Sequence, residues 1–189
     1  MNEKRLASIY EWVEIFVTSL VCVALLFAFV FRVCGVKGTS MKDTLNNKDF
    51  LILSNAFYTP KHGDIVVLYV NSSEEEPLIK RIIGLPGDEI DIDPEPTLCI
   101  DPQSGVEYRK NNVYRNGVLL DEPYVHYPTP LYDFRGKIKV PEGQVFVMGD
   151  HRNSSKDSRR NDVGTIPMDH IIGKAVFRLF PLDDFGTVN

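Results

Sequence analysis

Cysteine is scarce: three in 189 residues, too few and odd in number for a disulfide framework. Positive charge is not in excess, with 21 basic against 26 acidic residues and a net charge of -5, which argues against generic nucleic-acid binding. There is no internal repeat. Only one long apolar run exists; the strongest later one, 65–70, is six residues, which excludes a multi-span membrane protein. A hydrophobic share of 43% and a charged share of 25% are ordinary for a globular chain and exclude a disordered or collagen-like one. The length allows one domain with an appendage.

That appendage is amino-terminal. Residues 15–31 contain no charged side chain, and Thr18 and Ser19 are the only hydroxyls. With Trp12, Val13 and Val33 as flanks, the run reaches the roughly 20 residues a spanning helix needs. Its apolar surface runs all the way round, whereas a core helix would show a stripe. A cleaved signal peptide fits less well, because the run is long and no small-x-small pair precedes a plausible cut. Cys34 follows the bulky, charged Phe31-Arg32-Val33, unlike a lipoprotein cysteine. The segments expected are a tail at 1–14, a transmembrane helix at 15–33 and a domain at 34–189. Lys4 and Arg5 precede the helix, while Arg32, Lys37, Lys42 and Lys48 follow it. Local counting would keep the large domain cytoplasmic, but the rule weakens for long domains, so charge leaves orientation open.

Beyond the anchor the text reads as short strands at 50–53, 64–70, 78–83, 112–120, 144–148 and 175–180. Turn signals stand between them: Pro86-Gly87-Asp88, Asn116-Gly117 and Gly149-Asp150. This predicts a mainly β domain, an antiparallel barrel or sandwich, with Asn116-Gly117 at the tip of a hairpin. Residues 71–76 read as a polar, acidic loop. Residues 91–111, rich in Asp, Pro and Gly around Cys99, read as a variable insertion. Cys22 in the membrane and Cys34 at its edge are badly placed to pair with Cys99, so no disulfide is expected.

Three segments could carry chemistry, and each has a plain alternative. In Gly38-Thr39-Ser40-Met41 a glycine beside a hydroxyl lets a substrate backbone approach, although such a serine is commonly a turn residue. In Leu78-Ile79-Lys80-Arg81-Ile82-Ile83, strand alternation puts Leu78, Lys80 and Ile82 on one face and Arg81 on the other. A lysine between two apolar neighbours can be buried, lose its charge and serve as a base. It can equally sit at a sheet edge and snorkel its amine into water. The run from Met148 to Arg159 packs turn formers among ionic groups and could be a solvated loop.

Taken together, Gly38-x-Ser40-Met41-x-x-Thr44-Leu45, Lys80-Arg81-x-x-Gly84-Leu85-Pro86-Gly87-Asp88 and Gly149-Asp150-x-Arg152-x-x-Ser155-x-Asp157-Ser158-Arg159 strongly resemble the boxes of bacterial type I signal peptidases. Gly164-Thr165-Ile166-Pro167 and Ile171-Ile172-Gly173-Lys174-Ala175 extend the likeness to nearly the whole chain. The resemblance implies a membrane-bound serine endopeptidase with a Ser-Lys dyad, no metal and no cofactor. Ser40 would be the nucleophile and Lys80 the general base. Lowering a lysine from about 10.4 to about 8 requires roughly 3 kcal/mol of destabilisation of its charged form. The Ser40 backbone N–H would bind the oxyanion. Gly38, two residues before, lacks the hydroxyl donor that some members have there, as in many Gram-positive relatives. Ser155 would orient the lysine, with Asp150, Asp157 and Arg159 as framework.

The resemblance further implies substrates that are exported preproteins with small residues one and three before the cut. Val36, Leu45 and Ile79 are candidate walls of the pockets for those residues. It implies a single-pass protein of a bacterial plasma membrane, catalytic domain outside. The lipid bilayer is a partner; nucleic acid is not, and no oligomer is implied. One position departs from the pattern: Asp43 stands where proline usually precedes Thr-Leu, removing proline's fixed φ. An altered turn is expected there. A dedicated peptidase, or an inactive relative assisting assembly of a surface protein such as a pilus, is the alternative.

Overall fold

The structure is a computed structural model that describes residues 3–55, 58–71, 76–100 and 105–188. A helix, α1 (Glu3–Val30), leads into strands β1 (Phe31–Gly35), β2 (Phe50–Ser54), β3 (Ile65–Leu68), β4 (Leu78–Gly84), β5 (Glu89–Ile92), β6 (Thr97–Ile100) and β7 (Glu107–Lys110). Then follow β8 (Val113–Arg115), β9 (Val118–Leu119), β10 (Ile138–Lys139), β11 (Gln144–Met148), β12 (Ile166–Pro167), β13 (Ile171–Phe180) and β14 (Gly186–Thr187).

The 28 residues of α1 extend about 42 Å at 1.5 Å per residue, more than the roughly 30 Å of a hydrocarbon core. Its apolar window Ser8–Leu25 is wholly unburied. The helix is thus long and apolar enough to cross a membrane, and its exposed window is no core element. It starts earlier and ends earlier than the 15–33 segment expected from hydropathy. Phe31, Arg32 and Val33 are not helical; they pair with Ser54, Leu53 and Ile52 in an antiparallel ladder. Aromatic and β-branched residues suit that ladder, and hydropathy alone cannot register it.

Every strand pairing among the described residues is antiparallel, and the domain is mainly β, as expected. The main sheet runs β1-β2-β13-β3-β4-β11-β12, with β14 beside the end of β13. A second sheet runs β10-β5-β8-β9, and β6 with β7 forms a separate hairpin. Asn116 (φ 53) and Gly117 (φ 77) both sit left-handed between β8 and β9, the conformation of a two-residue hairpin turn. Residues 91–111 are not one loop. Asp91 and Ile92 complete β5, and the β6–β7 hairpin forms an arm; residues 101–104 lie outside the described set. The polar stretch at 71–76 likewise falls mainly on 72–75, outside it. Cys22, Cys34 and Cys99 are free thiols.

The strand alternation of β3 explains its unbroken Ile-Val-Val-Leu. Ile65 and Val67 enter one cluster with Val36, Met41, Leu45, Leu51 and Ile79. Val66 and Leu68 enter a second with Ile82, Val145, Val147 and Ile166. On β11, Val145 and Val147 join that second cluster. Phe146 and Met148 join a third, with Ile83, Ile90, Val113 and Phe134, that bonds the two larger sheets. Strands β3, β4 and β11 are thus covered on both faces, and β4 lies between two neighbours. Phe146 is fully buried and meets Phe134 edge-on at 6.1 Å. Phe146→Ala should destabilise the domain by about 3–5 kcal/mol, measured as a shift in denaturant midpoint at unchanged slope.

Candidate active site

Ser40 sits in the long connection between β1 and β2. Val36 extends the ladder by donating its N–H to Asp49 and accepting from Lys48, after which the chain turns at Gly38 (φ 86). Buried Met41 and Leu45 anchor the turn in the first cluster. Within it, Lys42 N–H donates to Thr39 and Leu45 N–H to Met41.

Lys80 comes from the middle of β4. Its Nζ lies 2.8 Å from Ser40 Oγ and 2.9 Å from the Ile79 carbonyl. The residue is 1% exposed. An inner strand covered on both faces offers no edge from which the amine could reach water, so the snorkelling alternative fails. Burial pushes the Lys80 pKa down to about 8. Asp157 and Asp150 pull it back up, while Arg159 pushes it down. The carboxylates do not win because each is already engaged. Arg81 donates from Nε and Nη2 to the two oxygens of Asp150 at 2.9 and 2.8 Å. Arg159 does the same to Asp157 at 2.8 Å from each nitrogen.

The segment after β11 brings these partners in. Asp150, Asp157 and Arg159 are all buried there. Thr44 donates its hydroxyl to Asp150 at 2.6 Å, and Gly149 N–H donates to Asp157 at 3.0 Å. Ser155 departs from its expected role. It is buried, but its Oγ has no hydrogen-bond partner, so no bond to the lysine is made in this geometry. Burial opposes ionisation of Asp157, yet its pKa is lowered, chiefly by the Arg159 guanidinium and to a smaller degree by the nearby Ser155 hydroxyl and the Gly149 N–H. Gly149 is required for closeness. A Cβ there would lie 2.3 Å from Ser155 Oγ and 2.5 Å from the Ser40 carbonyl oxygen.

Val36, Leu45 and Ile79 meet in one cluster. Ile79 lines a cavity of about 260 Å³ with Cys34, Gly35, Lys37, Glu76, Pro77 and Leu78. Leu45 is completely buried, so it backs the turn rather than facing an open groove. Asp43 adopts φ 75, which a proline ring cannot reach. The turn is therefore rebuilt around a left-handed residue, with the serine and lysine still in contact. Among the described residues no cluster of three or more His, Cys, Asp or Glu could hold a metal ion.

Sequence reasoning missed Glu122 and Tyr124. Glu122 accepts from Arg152 Nη1 and Nη2 at 3.0 and 2.5 Å, both side chains buried. The Tyr124 ring lies 4.0 Å from the Arg81 guanidinium carbon, a stacking geometry arginine favours. Nothing in the surrounding text flags either residue, because their partners are 30 and 43 positions away.

Gly149→Ala should displace the Ser40 turn and cut turnover by roughly 10²-fold, with the fold judged from circular dichroism. Glu122→Ala strands a buried guanidinium and should cost about 3–5 kcal/mol in a chemical melt. Because the folded lysine releases its proton near 8 and the unfolded one near 10.5, the unfolded chain binds more protons between those values. This group therefore makes stability rise with pH from about 8 to about 10.5. Lys80→Met should remove that slope in urea melts taken across the window.

Known proteins carry the same arrangement of sequence. The family model described as signal peptidase, peptidase S26, matches residues 9–180. A signal peptidase I of Bacillus caldolyticus is 36% identical over 88% of this chain and 89% of its own. Signal peptidase I S of Bacillus subtilis strain 168 is 32% identical over 100% of this chain and 98% of its own. A probable signal peptidase I-2 of Synechocystis is 33% identical over 94% of this chain and 77% of its own. A crystal structure of a signal peptidase I from Enterococcus faecalis aligns at 25% identity and a TM-score of 0.44 over 63% of this chain and 98% of that one. With the family model spanning nearly the whole chain and these relatives above 30% identity over most of their length, the chain belongs to the signal peptidase family of serine endopeptidases, peptidase S26.

Proposed function

We propose that this membrane-anchored enzyme removes signal peptides from exported preproteins, with Ser40 as nucleophile and Lys80 as general base. The observation that carries the reading is the 2.8 Å contact between Ser40 Oγ and the Nζ of a buried lysine. Serine is a weak nucleophile until a neighbouring base takes its proton. With Lys80 neutral, the hydroxyl donates to the amine, and attack on the scissile carbonyl moves that proton to Nζ. The amine then passes it to the leaving nitrogen. In the second half, water donates its proton to Lys80 as it attacks the acyl-enzyme, and Ser40 is restored.

The tetrahedral oxyanion needs fixed donors. The Ser40 N–H has no acceptor among the described residues, which suits it for that role. Gly38 is held left-handed, its N–H donating to Asn47 Oδ1 at 3.2 Å, and brings no side chain. Asp150, Asp157 and Arg159 hold the frame, and the cavity beside Ile79 suits the small side chains expected before the cut. One span, a short tail inside and the domain outside a bacterial plasma membrane complete the reading. The inactive alternative is not favoured, since both reacting side chains are present and in contact, and the similarity to signal peptidase I proteins over most of the chain speaks against a dedicated assembly factor.

The test is cleavage of a purified preprotein by detergent-solubilised enzyme, with the product's new amino terminus determined. A cut after small-x-small is expected. Ser40→Ala and Lys80→Ala should each lower turnover by at least about 10³-fold. Retained activity in Lys80→Ala would mean that another base serves Ser40. Because the base must be neutral, kcat/KM should rise with pH through about 8 and level off above it. A profile flat from pH 6 to about 9 would remove Lys80 from that role.

A further inference from the structure

The loop that follows β11 is tied to the Ser40 turn at three points. The His151 backbone N–H donates to the Ser40 carbonyl at 3.0 Å. The His151 Nδ1 lies 2.9 Å from the Thr39 carbonyl oxygen, and the Thr39 and Ser154 hydroxyl oxygens are 3.3 Å apart. A carbonyl can only accept, so Nδ1 carries a proton and the imidazole is fixed as a donor toward Thr39. The same Thr39 carbonyl receives the Lys42 N–H; its two lone pairs hold both sides of the turn.

The imidazole is itself braced. Tyr127, from the irregular stretch between β9 and β10, lies with its ring centroid 3.9 Å from that of His151, tilted by 35°. Lys42 Nζ stands 5.8 Å from the same tyrosine ring. The Tyr127 hydroxyl faces Asp43 and Lys42, and its pKa is raised by burial first and by Asp43 next, so it stays a neutral donor. These contacts converge on the exposed side of the turn, where Asp43 holds a left-handed backbone (φ 75), a conformation Asp tolerates better than most L-residues. The opposite side is already secured by Met41 and Leu45 in the core.

We propose that Tyr127 and His151 form a latch that sets the position of Ser40 against Lys80, making both of them positioning residues for the cleavage reaction. The inference rests on Ser40 being the nucleophile. Neither side chain takes a proton in the reaction; His151 acts through the Thr39 carbonyl and Tyr127 through His151 and the Lys42-Asp43 corner. A displacement on the order of 1 Å at a reacting atom can cost about 10² in rate, and the latch governs a displacement of that kind. None of Thr39, Tyr127 and His151 lines the cavity beside Ile79.

The experiment compares wild type with His151→Ala, His151→Asn, Tyr127→Leu and Tyr127→Phe, using one purified preprotein and Ser40→Ala as the blank. His151→Ala and Tyr127→Leu should lower kcat roughly tenfold to hundredfold, with KM within about twofold and the melting temperature unchanged. His151→Asn should recover most of the loss, because its amide can donate to Thr39 from nearly the same place. Tyr127→Phe, which keeps the stack, should fall between. The pH at which kcat/KM rises should not move in any of them. Amide hydrogen exchange at 41–45 should quicken in His151→Ala and Tyr127→Leu, a readout independent of turnover. Wild-type kcat in both variants overturns the proposal. So does a loss that tracks a lowered melting temperature, or one that Asn fails to rescue. If wild type itself leaves the preprotein uncut, the functional reading fails first, and the exchange arm still decides: unchanged exchange at 41–45 overturns the latch.

Discussion

In the proposed mechanism Lys80 must give up its proton more readily than an ordinary lysine, and burial in an interior strand lowers its pKa to about 8. Strand β4 has a hydrogen-bonded neighbour on each side and packed side chains on each face. A lysine in its middle has lost water in every direction, and desolvation penalises the ammonium form. In the proposed mechanism the turn and the ion pairs serve to bring Ser40 to a lysine kept dry.

Dryness alone would not suffice with two carboxylates nearby. Asp150 and Asp157 would hold the ammonium charged if their own charge were free. Each is clasped by two nitrogens of one arginine, Arg81 or Arg159, and a third buried pair, Arg152 with Glu122, stands behind them. Planar guanidinium groups match carboxylates two bonds at a time, which spends the negative charge on fixed partners. The pairs also connect distant chain segments. Glu122 lies after β9, Arg152 after β11 and Arg81 in β4, so the electrostatic frame and the spatial frame are the same object. Gly149 completes it by leaving room for the Ser40 carbonyl and Ser155 to approach.

Much of this was legible in the residues. The mainly antiparallel β domain followed from short strands and turn pairs, and Asn116-Gly117 marked its hairpin because only residues tolerant of positive φ fit there. Ser40, Lys80, Asp150, Asp157 and Arg159 were singled out by the resemblance of the three boxes to signal peptidases, not by the chemistry of any one segment. Short pairings were less legible. Strands such as β10, β12 and β14 are two residues long and exist through their partners, with no period of their own to detect. The start of β1 hid inside the apolar run, since Phe31 and Val33 are equally at home in a helix or a ladder. Glu122, Tyr124 and Tyr127 carried no local mark, because what makes each useful is a partner from elsewhere in the chain.

The sequence by itself indicated the long apolar helix and the β class, because hydropathy and turn chemistry are local properties, whereas Ser40 and Lys80 stood out only through the likeness of three separate boxes to a known family. It could not decide whether Lys80 was a solvated edge residue or a buried base, since alternation reads the same on an outer and an inner strand. Tertiary structure decided that by placing β4 between β3 and β11. It likewise decided that Asp43 is held left-handed and that Ser155 does not reach the lysine. Both outcomes depend on which side chains arrive from segments about a hundred positions away, and burial and proximity are properties of the assembled fold.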